Sequence, residues 1–581
     1  MTDTRRMLPV LVPRPEERYA PFPLTDVQEA YWLGRSGFFD LGAVGTNIFM
    51  EYVLAGDEAI VDAVEVAVGI LLDRHPMLRA RLLSDARQKI LAQVPPFRVE
   101  RRMLRGRSAE SQAAEVDELR LRLRLEKTPL DRWPLFDVVA CLEDDQRVRL
   151  FMRIDALIMD GKSRQSFVRE LFQLADDPRR RMPPLECTYR DYALAWADLQ
   201  DGESGRAARD YWMTKVARLA PGPRLPLERP VDPETLAPLE TLSVKALPPE
   251  AWARLKQRGV EVGVTPSAIV VAAFADVLRA VSDDSRFTLS LIGSWRPRIH
   301  PQIDDVLGNF NTISLLSVDD EPASFRDGVI QLQRQIMVDL NHAGYSGLRA
   351  LRQLNRRLRT GAATAVPVLF NSLLYHIAPG VRRPPAPPVP PAATKPRRRR
   401  CLTASMCIPQ AVLIPTAAER GDGTLECVWQ SAASLFAPGY MEGLAAAYQQ
   451  HLERLAADDA AWGAAPRASL RVPEATWRDD AGLEAVDRDA AGIDADEGAW
   501  SDDLVTRLRA LWADVLGGPP RPGQDFYTQG GDSLRAVQLL LRVEASFDRR
   551  LPSDMLRRPL TIGSLAAALE PAVPHERVAA S

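Results

Sequence analysis

A large mixed α/β (α+β) body followed by a small all-α domain is the architecture this sequence predicts, and three observations carry it. Helical and strand-like periodicities alternate from about residue 15 to 456 without a short repeat. A stretch rich in Ala, Gly and acidic side chains then interrupts the periodicity; from Arg478 to Asp503 it holds ten acidic residues against two arginines. Residues 503 to 572 return to helical spacing. The length of 581 residues leaves ample room for a core, at roughly 150 residues per domain.

Taken in order, Phe22 to Arg35 (FPLTDVQEAYWLGR) reads as a turn, a helix start at Thr25 and a strongly aromatic amphipathic helix. Ala59 to Asp73 places apolar residues at helical spacing. Val148 to Ile154, Phe287 to Ile292, Val366 to Leu369 and Pro409 to Ile414 are short runs of strand formers. Thr265 to Ala280 opens with a capping threonine and a proline, then continues almost wholly apolar, which predicts a buried helix. Many of the 46 prolines fall between Ala378 and Pro396, and seven basic residues with no acidic one lie between Arg382 and Arg400. Residues 378–400 therefore predict an extended, polyproline-like insertion between two strands. Residues 457–502 predict an acidic flexible linker, with a root-mean-square span on the order of 35 to 40 Å.

Composition excludes several classes. Lys plus Arg number 74 against 77 for Asp plus Glu, a net charge of -3, and 46% of residues are hydrophobic, so neither a nucleic-acid binder nor a disordered chain is indicated. Five cysteines without a CxxC pair argue against a disulfide framework and a thiolate metal site. No apolar run approaches a membrane span, and the N-terminus lacks a signal-peptide core, so a cytoplasmic protein away from membranes is expected.

The clearest motif lies in the tail. In Asp525 to Leu541 (DFYTQGGDSLRAVQLLL) two glycines lead to Asp532 and Ser533, after which Leu534, Val537, Leu540 and Leu541 recur at helical spacing. Ser533 stands at a helix start, where the positive end of the dipole favours an attached anion. This segment resembles the carrier domain of nonribosomal peptide synthetases. The resemblance implies a four-helix bundle over 503–572, in which Ser533, flanked by Asp532 and Leu534, carries 4′-phosphopantetheine attached by a phosphopantetheinyl transferase.

The body resembles the heterocyclization branch of the synthetases' condensation domains. The likeness rests on FPLTDVQEAYWLGR, RHPMLRARL (74–82), LPLERP (225–230), TPSAIVVAAFADVL (265–278), HPQIDDVLGNF (300–310), PVLFNS (367–372) and PQAVL (409–413), in order across nearly the whole body. Its most telling piece is Asp155-Ala-Leu-Ile-Met-Asp160-Gly-Lys-Ser163, the DxxxxDxxS pattern that replaces the paired histidines of ordinary condensation domains. What this implies is a pseudo-dimer of two chloramphenicol-acetyltransferase-like lobes, about 15–200 and 201–456, with a tunnel at their junction entered from opposite faces by donor and acceptor carriers. The implied site residues are Asp155, Asp160, Ser163, Asn371 and Gln410, with Arg296 as the ion-pair partner of Asp160. On the residues alone, both aspartates equally suit loop-bracing salt bridges, with Ser163 as a helix cap.

The resemblance implies condensation of an acyl or peptidyl thioester from an upstream carrier with an amino acid, Cys, Ser or Thr, held on Ser533. No adenylation motif is present, so a separate adenylation enzyme would load Ser533, and a downstream module or release enzyme would take the product. Ring closure to a thiazoline or oxazoline is expected of the branch, but Asn371, Ile414 and Trp295 stand where the family has Thr, Asp and Asn, and Gly308-Asn309-Phe310-Asn311 replaces a GDFT-like motif. Isoleucine cannot accept a proton, which predicts that cyclodehydration is lost or performed by other groups. The alternative expectation is a catalytically silent body that presents the carrier to other enzymes.

Overall fold

The computed structural model describes residues 11–39, 41, 45–144, 146–228, 231, 239–282, 284–319, 321–360, 363–374, 399–465, 470–473, 500–521, 524–531 and 533–569. Its first half builds a layered lobe. β1 (Phe22–Pro23) leads into α1 (Asp26–Gly34), where the Gln28 side chain accepts from the Thr25 backbone N–H at 3.0 Å and so closes the helix start read from the sequence. Then come β2 (Asn47–Ala55), α2 (Glu58–Arg74), β3 (Ala80–Leu82), β4 (Arg87–Ile90) and β5 (Glu100–Met103). α3 (Ala109–Leu125), β6 (Phe136–Glu143), β7 (Arg147–Asp155), α4 (Gly161–Asp176), α5 (Tyr189–Asp201) and α6 (Glu203–Val216) complete it. β7 alternates: Val148, Leu150, Met152 and Ile154 face the main core, where α2 packs, while Phe151, flanked by Arg149 and Arg153 on the other face, packs with Phe49 against Leu119 and Leu123 of α3.

The second half repeats the theme with β8 (Glu240–Leu247), α7 (Pro249–Val262), α8 (Pro266–Val281), β9 (Phe287–Ser294), β10 (Asn311–Val318), α9 (Phe325–Asn341) and α10 (Gly347–Leu358). β11 (Leu369–Ser372), β12 (Arg399–Met406), β13 (Leu413–Glu419), β14 (Leu425–Ser431), α11 (Tyr440–Ala457) and α12 (Ala460–Gly463) follow. α8 is the buried helix the sequence predicts: the Thr265 hydroxyl accepts from the Ala268 N–H, Pro266 opens the first turn, and thirteen of its sixteen residues are buried. Its apolar surface is consumed by packing against α7, α9 and α11, and among the described residues no single helix is long and apolar enough to cross a membrane.

Two sheets meet in the body. The six-stranded sheet runs β10-β9-β11-β13-β14-β8, and the five-stranded sheet runs β12-β2-β7-β6-β5. β12 belongs to the second half by sequence yet pairs antiparallel with β2 of the first, so the expected division at residue 200 does not separate the two sheets. The strand expected at 409–414 begins only at Leu413, because Gln410 takes a left-handed φ of 64° and turns the chain there. The strand expected at 366–369 instead spans Leu369–Ser372. The insertion expected at 378–400 lies outside the described residues, save Arg399 and Arg400, which open β12.

The linker also starts later than residue 457. Trp462 of α12 is buried against Phe325, the Ala464 carbonyl accepts from the Phe325 N–H, and Leu470 and Val472 pack on the main core. The tail domain contains α13 (Asp502–Leu516), α14 (Ser533–Phe547), a 3-10 turn at Ser553–Arg557 and α15 (Ile562–Leu569), closed around Leu508, Trp512, Phe526, Val537 and Leu540. The third element of the implied four-helix bundle is thus a short 3-10 turn.

Candidate active site

The Asp155-to-Ser163 loop is a knot of satisfied polar groups. Asp155 ends β7 fully buried, paired with Arg35 at 2.5 Å, and accepts from the Thr46 hydroxyl at 3.2 Å and the Leu157 N–H at 3.0 Å. Asp160 caps α4 by accepting from the Ser163 N–H at 2.7 Å, and also accepts from the Phe310 N–H, the Ser294 hydroxyl and Arg296, the last at 3.0 Å. Arg296 stacks on the Phe310 ring at 3.8 Å and donates further to the Ile303 and Val306 carbonyls. The Ser163 hydroxyl donates to the Gly308 carbonyl at 2.8 Å and accepts from Arg296 at 2.7 Å. Asp155, Asp160 and Ser163 are not among the described residues that line the two cavities set out below. Their polar atoms are engaged in bracing the loop, the alternative role that the residues alone also suit.

The cavity lies beside this knot, between the two sheets. A chamber of about 170 Å³ has the six-stranded sheet as its floor and β12, Ile48 and Gly161 as its wall. In-register pairing carries Ile292, Asn371, Thr416 and Val428 in one row across β9, β11, β13 and β14, while Ile414 pairs with Gln430 in the next. Asn371 donates to the Thr416 hydroxyl at 3.4 Å. Ile414, only 1% exposed, lines the chamber where the family resemblance calls for a carboxylate. Trp295 does not line it and packs against Trp196 instead. Thr416 and Gln430 line the chamber too; sequence reasoning missed them because only the strand register tells which polar residues face inward.

A second cavity of about 110 Å³ lies under α1 and α10, lined by Tyr31, Gly34, Leu348, Arg352, Ser290 and Gln410, among others. Ile408 lines both cavities, so they adjoin there. Burial pushes the Tyr31 phenol far above its ordinary value, partly offset by the Asn311 carboxamide, so Tyr31 is neutral at this junction. At the other edge of the chamber, Arg164 also lines a surface groove between α4 and Arg399.

The tail domain docks over the second cavity. Leu33, Phe38 and Phe39, from the end of α1 and the turn after it, share one apolar cluster with the tail core. α14 packs on α1 and α10, and Arg356 of α10 donates to the Gly530 carbonyl at 3.1 Å, three residues before Ser533. Gly530 has a φ of 92°, and a Cβ on Gly531 would come within 2.2 Å of the Phe526 ring, so the turn into α14 accepts only glycine in comfort. Ser533 is the first residue of this fifteen-residue helix; Asp532 and the side chains of Ser533 and Leu534 lie outside what the structure describes. A thin turn feeding a long helix's positive end fits a phosphodiester-linked arm. Among the described residues no His, Cys, Asp and Glu cluster suits a metal.

Comparison with known proteins agrees with this layout. The Condensation domain model matches residues 22–375, and the Phosphopantetheine attachment site model matches 506–569. Pyochelin synthetase PchF of Pseudomonas aeruginosa is 31% identical over 77% of this chain, and phenyloxazoline synthase MbtB of Mycobacterium tuberculosis is 29% identical over 79%. The chain spans 24% of the former and 31% of the latter. The cyclization-docking bidomain of EpoB, a nonribosomal peptide synthetase of Sorangium cellulosum, superposes with a TM-score of 0.69 at 31% identity, covering 79% of this chain and 90% of that one. The two-lobed condensation fold expected from the sequence is thus the fold observed, and the tail is a domain that takes covalent 4′-phosphopantetheine. The chain belongs to the condensation-domain family, heterocyclization type by its relatives, with a phosphopantetheine attachment domain joined behind it.

Proposed function

We propose that this chain condenses an acyl or peptidyl thioester brought by an upstream carrier with an amino acid, Cys, Ser or Thr, presented by its own carrier domain on Ser533, and that the reaction stops at the amide. The observation that carries this reading is the pair of cavities adjoining at Ile408, one of them roofed by the same helices that hold the turn before Ser533. When bound there, 4′-phosphopantetheine supplies the thiol and the reach with which an amino acid is held. The groove by Arg164 and Arg399 offers the opposite entrance to the upstream carrier.

The chain's own contribution is chiefly positional. The amine attacks the donor carbonyl, a C–N bond forms, the C–S bond breaks, and the amine proton goes to the departing thiolate. A thioester needs little further activation, so confinement supplies much of the rate. Tyr31, Asn311 and Asn371 are neutral polar groups available at the junction. Ring closure needs a positioned acid and base. The ionisable side chains lining the chamber are Arg164 and Glu426, and Glu426 is held by Arg420 at 2.8 Å and accepts from the Ser243 hydroxyl at 3.0 Å. Among the described residues lining the chamber, that leaves no free carboxylate for dehydration.

The proposed partners are a phosphopantetheinyl transferase, an adenylation enzyme that loads Ser533, and a downstream module or release enzyme. All five cysteines are free, which suits a reducing cytoplasm. Intact-protein mass spectrometry tests the proposal. Ser533→Ala should abolish attachment of the arm. With a loaded upstream carrier and a Cys-, Ser- or Thr-loaded tail, the acyl mass should appear on the tail without loss of water. A product short by one water restores ring closure; no transfer favours a docking platform.

A further inference from the structure

We propose that Gln430 selects the donor, its side-chain amide donating a hydrogen bond to an oxygen on the acyl substituent a few bonds beyond the reacting carbonyl. This rests on the condensation reading and assigns to it a substrate class. Gln430 lies on β14, only 4% exposed, and faces the chamber. Its carboxamide nitrogen has no hydrogen-bond partner among the described residues. Several polar side chains lining the chamber are engaged: Ser294 donates to Asp160, Asn371 donates to Thr416, and Arg420 and Ser243 hold Glu426. A buried donor left unmade is costly, so an orphan on the wall of a binding chamber marks a place where ligand or water completes the bond.

Register gives the distance. Ile414 separates Gln430 from β11, the strand whose Leu369 and Asn371 line the two cavities near their junction at Ile408. Two strand spacings amount to about 10 Å. Gln430 is thus too far across the floor to serve the carbonyl reacting at the junction, and within reach of the chain attached to it. A saturated acyl chain that fills the chamber expels water from Gln430 and returns nothing, whereas a chain bearing an oxo or hydroxyl group restores the bond. A site built to hydrogen-bond its substrate discriminates strongly against the analogue lacking the group.

The test uses the full chain in its arm-bearing, amino-acid-loaded form, with hexanoyl-pantetheine and its 3-, 4- and 5-oxo and hydroxy analogues as donors. Single-turnover transfer is read by intact mass. The expected result is that the best oxygen-bearing donor outruns hexanoyl by at least about tenfold, and that Gln430→Met and Gln430→Leu reduce this ratio to within about twofold of one. Melting temperatures verify that both variants are folded. A ratio that survives in the folded variants, or a wild type that transfers all donors alike, overturns the assignment and leaves condensation standing. Failure to transfer any donor removes the condensation reading and this one with it.

Discussion

One carboxylate, Asp160, organises four donors drawn from α4, β9 and the segment before β10. Its guanidinium partner Arg296 has only 4% of its side chain exposed, so neither charge has water to fall back on. Asp160→Asn keeps the shape and removes the charge, leaving Arg296 buried without a counter-ion. The expected loss is about 3 to 5 kcal/mol, visible as a lower thermal midpoint of the body. The aspartate spacing and the Arg296 pairing could both be read along the chain. The fate of Asp155 could not, because its partner Arg35 is 120 residues away and becomes relevant only when α1 is laid across the end of β7. An aspartate that looked available for chemistry is closed off by a residue from an already quoted motif.

Helices α1 and α10 form the mouth beneath the tail domain, and they are tied by charge. Arg349 of α10 pairs with Asp26 of α1 at 2.8 Å, and Arg352 with Glu29 at 2.7 Å. Burial pushes the Asp26 carboxyl up, but Arg349 and Arg352 outweigh it and hold the group below the usual carboxylate range. A carboxyl depressed in the folded state contributes stability that is fully present above the ordinary value of about 4 and is lost as pH falls through the depressed one. Asp26→Asn should therefore cost on the order of 2 kcal/mol at pH 7, by about the same amount at pH 5, and progressively less than that below pH 4, as checked by urea unfolding at each pH. Helices such as α2 and α8 were legible because periodicity and caps are local properties. β12 was not: its CLTASM stretch has a modest strand signal, and only pairing with β2 makes it a strand.

At the scale of the molecule, the described contacts that hold the tail domain include an apolar patch and the hydrogen bond from Arg356 to the Gly530 carbonyl. Phe38, 5% exposed, stands in that patch. Phe38→Asp should release the tail while both domains stay folded, because the cores of body and tail are otherwise separate clusters. Small-angle scattering should then show a larger radius of gyration and slower acceptor-side transfer should accompany it, the buried phenyl being worth about 3 kcal/mol or more. Domain order and the carrier serine were readable from local motifs. The docking was not, since it joins residues near 38 with residues past 500.

The crossover of β12 also bears on how such bodies can be recombined. A graft that takes residues 15–200 from one relative and the remainder from another would seat a foreign strand against β2 along Arg399–Met406, and that edge forms one wall of the chamber. The portable unit is therefore discontinuous: whoever exchanges the first lobe must carry this later strand with it, or inherit a chamber whose wall and floor come from different parents.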